Sequence, residues 1–176
     1  MFGRQFTTKH CGDVIVCEYK NTKDVTVVFI DTGTILKTSK KVLSNSARPR
    51  LRDPLARTVF GVGCIGVGRH KAHDGPADTK AFSIWRAMLR RCYYEPERTA
   101  WREGDTVADE WHDFQVFAEW LEYSYPEDGG KYQLDKDLVI EGNKRYSPEA
   151  CRFVTQKENL AGRRFARDRL EEEKTL

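Results

Sequence analysis

Residues 135–159, DKDLVIEGNKRYSPEACRFVTQKEN, combine the signals of two short strands and the start of a helix. Apolar residues alternate with polar ones on either side of position 135 and predict a first strand over 131–140, followed by a Glu-Gly-Asn turn. CRFV at 151–154 predicts a second strand. Thr155 and Glu158 have the spacing of a capping box, so a helix is expected to start there. The stretch therefore predicts a strand–loop–strand–helix (ββα) unit.

Such a ββα unit creates a candidate metal site. Its first strand carries Asp135 and the first turns of its helix carry Asn159, and these two elements pack together, so the two side chains are expected to converge on one divalent cation. Oxygen ligands suit Mg²⁺ or Mn²⁺. Strand alternation places Asp137 on the same face as Asp135, as a catalytic group or a further ligand. The alternative is that Asp135, Lys136 and Asp137 are solvated charges on an edge strand.

Two helices are predicted upstream of this unit. Residues 78–94, DTKAFSIWRAMLRRCYY, form the clearer one, with Asp78 or Thr79 as its cap, and a second begins at about Asp113. Their apolar stripes are Phe82, Trp85, Met88, Leu89 and Cys92 in the first helix and Phe114, Phe117, Trp120 and Leu121 in the second. Such stripes form core far more often than cofactor sites, so Trp85, Phe117 and Trp120 are expected to be buried.

The N-terminal part of the chain favours β structure. Residues 14–20, VIVCEYK, and 25–30, VTVVFI, predict an antiparallel hairpin around the polar turn NTKD. DTGTILKTSKKV adds a third strand, and the whole is typical of a small SH3-like unit. The polar, basic and proline-containing stretch SNSARPRLRDP, at 44–54, predicts a connector.

The fold expected from these elements is α+β, with a small N-terminal β unit, a helical region and a C-terminal ββα finger. We predict the N-terminal β unit and its basic linker at 1–58, the domain with two helices and the finger at 59–165, and a charged tail at 166–176.

Composition excludes several classes of protein. The chain has 176 residues, of which 39% are hydrophobic and 32% charged. No apolar run approaches the roughly 18 residues that a membrane span needs, and the N-terminus has no apolar signal region, so a cytoplasmic location is expected. The five cysteines include no CxxC pair, so a structural zinc site is not indicated.

The net charge of +3 is too small to establish a nucleic-acid partner, so the distribution of basic residues matters more. They cluster at Arg48, Arg50, Arg52 and Arg57 and again beside the predicted helices and finger. The candidates for nucleic-acid binding are Arg86, Arg90, Arg91, Lys144, Arg145, Arg152, Arg163 and Arg164. The alternative is a mixed solvated surface.

Four motifs together resemble the HNH endonuclease family, and more closely the small HNH-type proteins encoded by tailed bacteriophages. They are FGVGCIGVG, KAFSIWRAMLRRCYY, DEWHDFQVFAEWL and YQLDKDLVIEGNKRYSPEACRFVTQKEN, and they span roughly residues 60–160. The resemblance implies a metal-binding ββα finger, DNA as partner and the cytoplasm of an infected host cell as location.

Carried over by position, the resemblance places the first metal ligand at Asp135 and the terminal ligand at Asn159. The general-base histidine of the family falls on Lys136, and its central asparagine falls on Ala150. Lys136 or Asp137 would then handle the proton in a metal-dependent DNA endonuclease. The alternative function is a degenerate HNH fold that does not cut and binds nucleic acid or a host protein during infection.

Overall fold

The structure, a computed structural model, describes residues 1–44, 48–94, 104–140 and 142–161. The chain divides into two compact units, unit 1 over Met1–Gly68 and unit 2 over Arg69–Leu176. The fold mixes α-helices with β-strands and has an antiparallel sheet at the N-terminus. Within the described ranges, no helix is both long and apolar enough to cross a membrane. The predicted charged tail at 166–176 lies outside the described residues.

Unit 1 is built on a four-stranded antiparallel sheet. Its strands are β1 (Gln5–Thr7), β2 (Asp13–Tyr19), β3 (Val25–Phe29) and β4 (Ile35–Thr38), in the order β1-β2-β3-β4. Helix α1 (Lys40–Ser44) follows β4. The predicted hairpin and third strand are therefore confirmed.

The core of unit 1 lies on one face of this sheet. Its strand residues Val14 and Val16 of β2 and Val25, Val27 and Phe29 of β3 are spaced two apart, as the two-residue period of a strand requires. The core consists of Val14, Val16, Val25, Val27, Phe29, Leu43 and Leu51. Branched aliphatic side chains of this kind pack well on a pleated surface.

Two helices form the main part of unit 2. Helix α2 (Lys80–Leu89) begins at its cap Thr79, whose side-chain oxygen accepts a hydrogen bond from the backbone of Phe82, and continues into a π-helical turn at Arg90–Tyr94. A 3-10 turn at Asp109–His112 leads to α3 (Phe114–Ser124). Asp113 caps α3 by accepting the backbone N–H of Gln115 at 2.8 Å. Both predicted helices are confirmed.

Aromatic rings fill the core of unit 2. Trp85, Trp111 and Phe117 have no exposed surface, and the Trp85 indole donates a hydrogen bond of 2.7 Å to the Trp111 carbonyl. Trp120 is only half-buried, and its ring lies 4.6 Å from that of Trp111. Burial is therefore confirmed for Trp85 and Phe117 and is partial for Trp120, which lies at the edge of the cluster.

Short strands carry the remaining part of unit 2. Strand β8 (Tyr132–Asp135) pairs antiparallel with β10 (Arg152–Thr155), and residues 156–161 are helical. Strand β7 (Thr106–Val107) pairs in parallel with β9 (Arg145–Tyr146). A further two-stranded hairpin, β5 (His73–Asp74) with β6 (Ala77–Asp78), precedes α2.

The strand predicted over 131–140 ends early, at Asp135. The Oδ1 atom of Asp135 accepts the backbone N–H groups of Asp137 and Leu138, each at 2.9 Å, which turns the chain out of the sheet. Aspartate side chains compete with strand pairing in this way. The alternation argument that placed Asp137 on the face of Asp135 is therefore wrong.

The predicted capping box is confirmed. The Glu158 carboxylate accepts the backbone N–H of Thr155 at 2.7 Å, and the Thr155 hydroxyl accepts the backbone N–H of Glu158 at 3.3 Å. The first of these bonds is the main reason why the pKa of Glu158 lies below its usual value.

Candidate functional site

A cleft of about 480 Å³ in unit 2 contains the predicted metal and catalytic residues. The residues that line it are Ser83, Ile84, Ala87, Arg91, Asp105, Tyr132, Gln133, Leu134, Asp135, Lys136, Asp137, Tyr146 and Asn159. The cleft thus brings the end of β8 next to the helical segment that starts at 156. Asp135 and Asn159, 24 residues apart in the sequence by their numbers, border the same space.

Asn159 presents an unsatisfied oxygen. Its side chain is 5% exposed, and its Nδ2 atom donates a hydrogen bond of 2.7 Å to Gln133 Oε1. Its Oδ1 atom is buried and accepts no hydrogen bond from the described part of the chain. A buried amide oxygen without a donor costs about 1–3 kcal/mol, so a water molecule or a cation in the cleft would stabilise Asn159 Oδ1.

Asp135 has one oxygen committed and one available. Oδ1 holds the turn after β8 by accepting the two backbone N–H groups described above, and Oδ2 has no hydrogen-bond donor among the described residues. The side chain is 9% exposed. Asp135 Oδ2 and Asn159 Oδ1 are therefore oxygen atoms of this site that could act as ligands of a hard divalent cation such as Mg²⁺ or Mn²⁺.

Lys136 is a buried cation with three oxygen neighbours. Its Nζ donates hydrogen bonds to Asp137 Oδ1 at 2.7 Å and to the Asn143 carbonyl at 2.6 Å. Asp105 Oδ1 lies 3.4 Å from the same nitrogen, and the two side chains are 7% and 4% exposed. An ammonium group surrounded in this way stabilises the charges around it and has no free lone pair with which to accept a proton.

Asp105 is the residue that sequence reasoning missed. Its Oδ1 atom is buried and accepts no hydrogen bond within the described ranges, although it faces Lys136 and lies 3.8 Å from Lys144 Nζ. The parallel pairing of β7 with β9 brings Asp105 into the cleft. No local spacing connects position 105 with the 135–159 stretch, so nothing in the sequence pattern could have assigned it.

Tyr146 lines the cleft, and Cys151 is a buried thiol that precedes β10. Burial raises the pKa of the Tyr146 phenol to about 12 and that of the Cys151 thiol also to about 12. Both groups are therefore neutral at physiological pH, and neither supplies an activated nucleophile. The Arg91 guanidinium lies 5.6 Å from the centre of the Tyr146 ring.

The predicted nucleic-acid-binding residues are spread over unit 2. Of those that the structure describes, only Arg91 lines the cleft, where its Nε donates to the Ala87 carbonyl at 3.0 Å. Arg86 is exposed and lies 3.3 Å from Asp78. The others that the structure describes are exposed, namely Arg90, Lys144, Arg145 and Arg152. Arg163 and Arg164 lie outside the described residues.

A second group of metal-type ligands lies elsewhere in unit 2. His70, Glu119 and Glu122 bring their ligand atoms within 4.8 Å of one another. Arg69 already bridges the two carboxylates, with its Nη2 at 3.0 Å from Glu119 and 2.5 Å from Glu122. Hydrogen bonds from His70 and then from Arg69 hold the pKa of Glu119 below its usual value. The Arg69 guanidinium therefore offsets one of the two carboxylate charges without a metal. The group contains neither Asp135 nor Asn159.

Comparison of the chain with protein-family models, with curated proteins and with solved structures finds no match. The resemblance to HNH proteins accordingly rests on the motifs of the chain, and the function has to be argued from the cleft itself.

Proposed function

We propose that the chain is an HNH-like DNA-binding protein of a tailed bacteriophage, acting in the host cytoplasm, whose finger holds a divalent cation without cutting DNA efficiently. In this proposal β8, β10 and the helical segment from 156 form the ββα finger. The observation that carries the proposal is Asn159, which borders the same cleft as Asp135 and whose buried Oδ1 has no donor among the described residues.

The cation would be held by Asp135 Oδ2 and Asn159 Oδ1. Bound there, Mg²⁺ or Mn²⁺ would supply positive charge that attracts and polarises a DNA phosphate. Arg91, on the wall of the cleft, offers a guanidinium whose planar donors suit phosphate oxygens. The carboxylates of Asp105 and Asp137 are balanced by the Lys136 ammonium, so they do not repel the phosphate at full strength.

Weak or absent cleavage follows from the surroundings of Lys136. A general base has to accept a proton from the attacking water. Lys136, at the position of the family's histidine, donates hydrogen bonds instead, and Asp137 accepts one of them at 2.7 Å. Ala150 provides no side chain to orient a base. The alternative is an endonuclease in which Asp137, whose side chain is 54% exposed, accepts the proton.

The proposal is tested by DNA binding in EDTA and in Mg²⁺, measured by fluorescence anisotropy on a labelled duplex. Wild type should bind more tightly in Mg²⁺, and the gain should vanish in Asp135→Asn and Asn159→Ala while binding in EDTA stays the same. Asp135→Asn keeps the oxygen that accepts the two turn N–H groups, so it removes charge and not the turn. An equal Mg²⁺ gain in all three proteins would exclude the cation site.

Cleavage is tested in parallel with supercoiled plasmid. We expect no multiple-turnover nicking in Mg²⁺ or Mn²⁺. Nicking that depends on the metal and disappears in Asp137→Asn would instead establish the endonuclease, with Asp137 as the base.

A further inference from the structure

The charge of the chain is divided unevenly between its two units. Unit 1 contains eleven Lys or Arg residues and five Asp or Glu, a formal charge of +6, whereas unit 2 contains 19 against 22, a formal charge of −3. The small net charge of the whole chain hides this difference. A strongly basic unit of this size indicates a polyanionic partner.

The basic residues of unit 1 include a regular row. Along residues 48–53, RPRLRD, exposure alternates strictly: the three arginines are exposed, and Pro49, Leu51 and Asp53 are buried. We call Arg48, Arg50 and Arg52 the arginine row. The alternation means that the three arginine side chains lie on the same, solvent-exposed side of an extended segment. No apolar residue lies between them on that side.

The three buried residues of this segment hold it against the rest of unit 1. Leu51 is 7% exposed and belongs to the aliphatic core. The Pro49 carbonyl accepts the backbone N–H of Lys9 at 3.0 Å. Asp53 accepts hydrogen bonds from the hydroxyls of Thr34 at 2.8 Å and Thr32 at 2.5 Å. The segment therefore runs from the β1–β2 turn to the β3–β4 turn, which lie at the same end of the sheet, and it is fixed before any partner binds.

The spacing and pairing of the arginines fit a phosphodiester backbone. Residues two apart in an extended segment are separated by about 6.6 Å, so the row spreads three positive charges over about 13 Å, and each strand of B-DNA carries one negative charge per about 3.4 Å of helix axis. Arg50 and Arg52 have no carboxylate partner among the described residues, and guanidinium groups bind phosphate oxygens in a bidentate way. The row offers no apolar side chain that would enter a membrane.

We propose that the arginine row is a second DNA-binding surface, which contacts the backbone of a duplex without reading its sequence. The row does not require the cation site of unit 2, so it accounts for binding that persists in EDTA. Each phosphate neutralised on B-DNA adds about 0.9 to the slope of log affinity against log salt. Arg50 and Arg52 together should therefore contribute roughly 1.8 to that slope.

The test is fluorescence anisotropy in EDTA with the full chain and a labelled 20-base-pair duplex, over a salt series. Arg50→Gln/Arg52→Gln should lose roughly tenfold in affinity at low salt, and its slope should be shallower by roughly 1.8. Arg50→Lys/Arg52→Lys should keep most of the slope because it keeps the charge. The matched control is Lys20→Gln/Lys23→Gln, which removes two exposed charges at the opposite end of the same sheet and should leave the slope near that of wild type.

Equal slope losses in Arg50→Gln/Arg52→Gln and in the control Lys20→Gln/Lys23→Gln would overturn the proposal. They would show that DNA is attracted to the basic unit as a whole and not to the arginine row. An unchanged slope in Arg50→Gln/Arg52→Gln would overturn it as well. The proposal would also be overturned if the wild-type protein bound anionic lipid vesicles and did not bind the duplex. Because EDTA removes any metal contribution, failure of this test leaves the Mg²⁺-dependent gain through Asp135 and Asn159 to be judged separately.

Discussion

Unit 1 and unit 2 both contain buried carboxylates, but the hydrogen bonding of these carboxylates differs between the units. In unit 1, Asp53 is 5% exposed and accepts hydrogen bonds from Thr32, Thr34 and the backbone of Leu55. In unit 2, Asp105 is 7% exposed, and its Oδ1 atom faces two lysines without accepting a hydrogen bond from the described residues. The amide oxygen of Asn159, in the same cleft, also has no donor there.

We interpret this difference in hydrogen bonding as a difference between polar groups that stabilise the fold and polar groups that serve a function. A buried carboxylate with all its partners stabilises the fold around it, whereas a buried oxygen without a donor lowers stability unless a bound partner satisfies it. Local violations of this kind are expected at functional sites. The two units also differ in charge, and in our proposals the acidic unit 2 would bind the cation and the basic unit 1 would supply most of the attraction to the DNA backbone.

The largest expected effect concerns the aromatic core of unit 2. Trp85→Ala should lower the free energy of unfolding by about 3–5 kcal/mol, through lost burial and the cavity left behind. The hydrogen bond to the Trp111 carbonyl is lost as well. Val27→Ala in unit 1 removes only two methyl groups and should cost about 2 kcal/mol. Urea denaturation checks both, and a cost below about 1 kcal/mol for Trp85→Ala would show that this core is not what holds unit 2 together.

The buried ion pair of unit 2 comes next. Lys136→Met should lower the free energy of unfolding by about 3–5 kcal/mol, because it leaves the buried Asp105 carboxylate with only the half-exposed Lys144 ammonium, 3.8 Å away, as counterion. In the double variant Lys136→Met/Asp105→Asn much of that loss should be recovered. Thermal and urea denaturation of the two variants checks this prediction. If Lys136→Met were as stable as wild type, the ion-pair account would be contradicted, because Lys136 would then behave as an ordinary surface cation.

Tyr146 provides a pH-dependent effect. Its pKa is raised from about 10 to about 12 by burial, so the folded state keeps a proton that the unfolded state releases. The stability that this group contributes is present below pH 10 and is lost as the pH rises towards 12, by at most about 2–3 kcal/mol. Tyr146→Phe should reduce this alkaline decline and not abolish it, because burial also raises the pKa of the Cys151 thiol, from 9 to about 12. Denaturation midpoints at pH 9, 10 and 11 that fall equally in both proteins would exclude Tyr146 as the source.

The smallest effect tests the comparison of buried polar groups directly. Asp53→Asn in unit 1 should cost about 1–3 kcal/mol, since three hydrogen bonds to the carboxylate are weakened. Asn159→Ala in unit 2 should change stability by less than about 1 kcal/mol, because it loses one hydrogen bond and also removes an unsatisfied oxygen. If Asn159→Ala lowered the free energy of unfolding more than Asp53→Asn, Asn159 would have a structural role.

Local features of this molecule could be predicted from the sequence, and distant contacts could not. The caps Thr79 and Asp113 and the capping box at Thr155 act over three residues, so their signals are visible in the sequence. The end of β8 was missed because the Asp135 side chain turns the chain where the apolar pattern continues.

For the site, the sequence predicted that Asp135 and Asn159 lie together, because strand and helix belong to one continuous stretch. It could not predict Asp105, which reaches the cleft through a parallel strand pair between distant parts of the chain. The role of Lys136 was hidden for the same reason. Its position suggested a substitute base, whereas its neighbours make it the counterion of Asp105 and Asp137.

The most direct test of the central claim is Mn²⁺ titration by calorimetry. Three proteins are compared: wild type, Asn159→Ala, and Glu119→Gln/Glu122→Gln, which disables the other group of metal-type ligands in unit 2. We predict the same binding heat for wild type and the Glu119→Gln/Glu122→Gln variant, and none for Asn159→Ala. Heat that survives in Asn159→Ala and disappears in the glutamine variant, or no heat from wild type, would contradict the claim that the cleft of Asp135 and Asn159 binds a divalent cation.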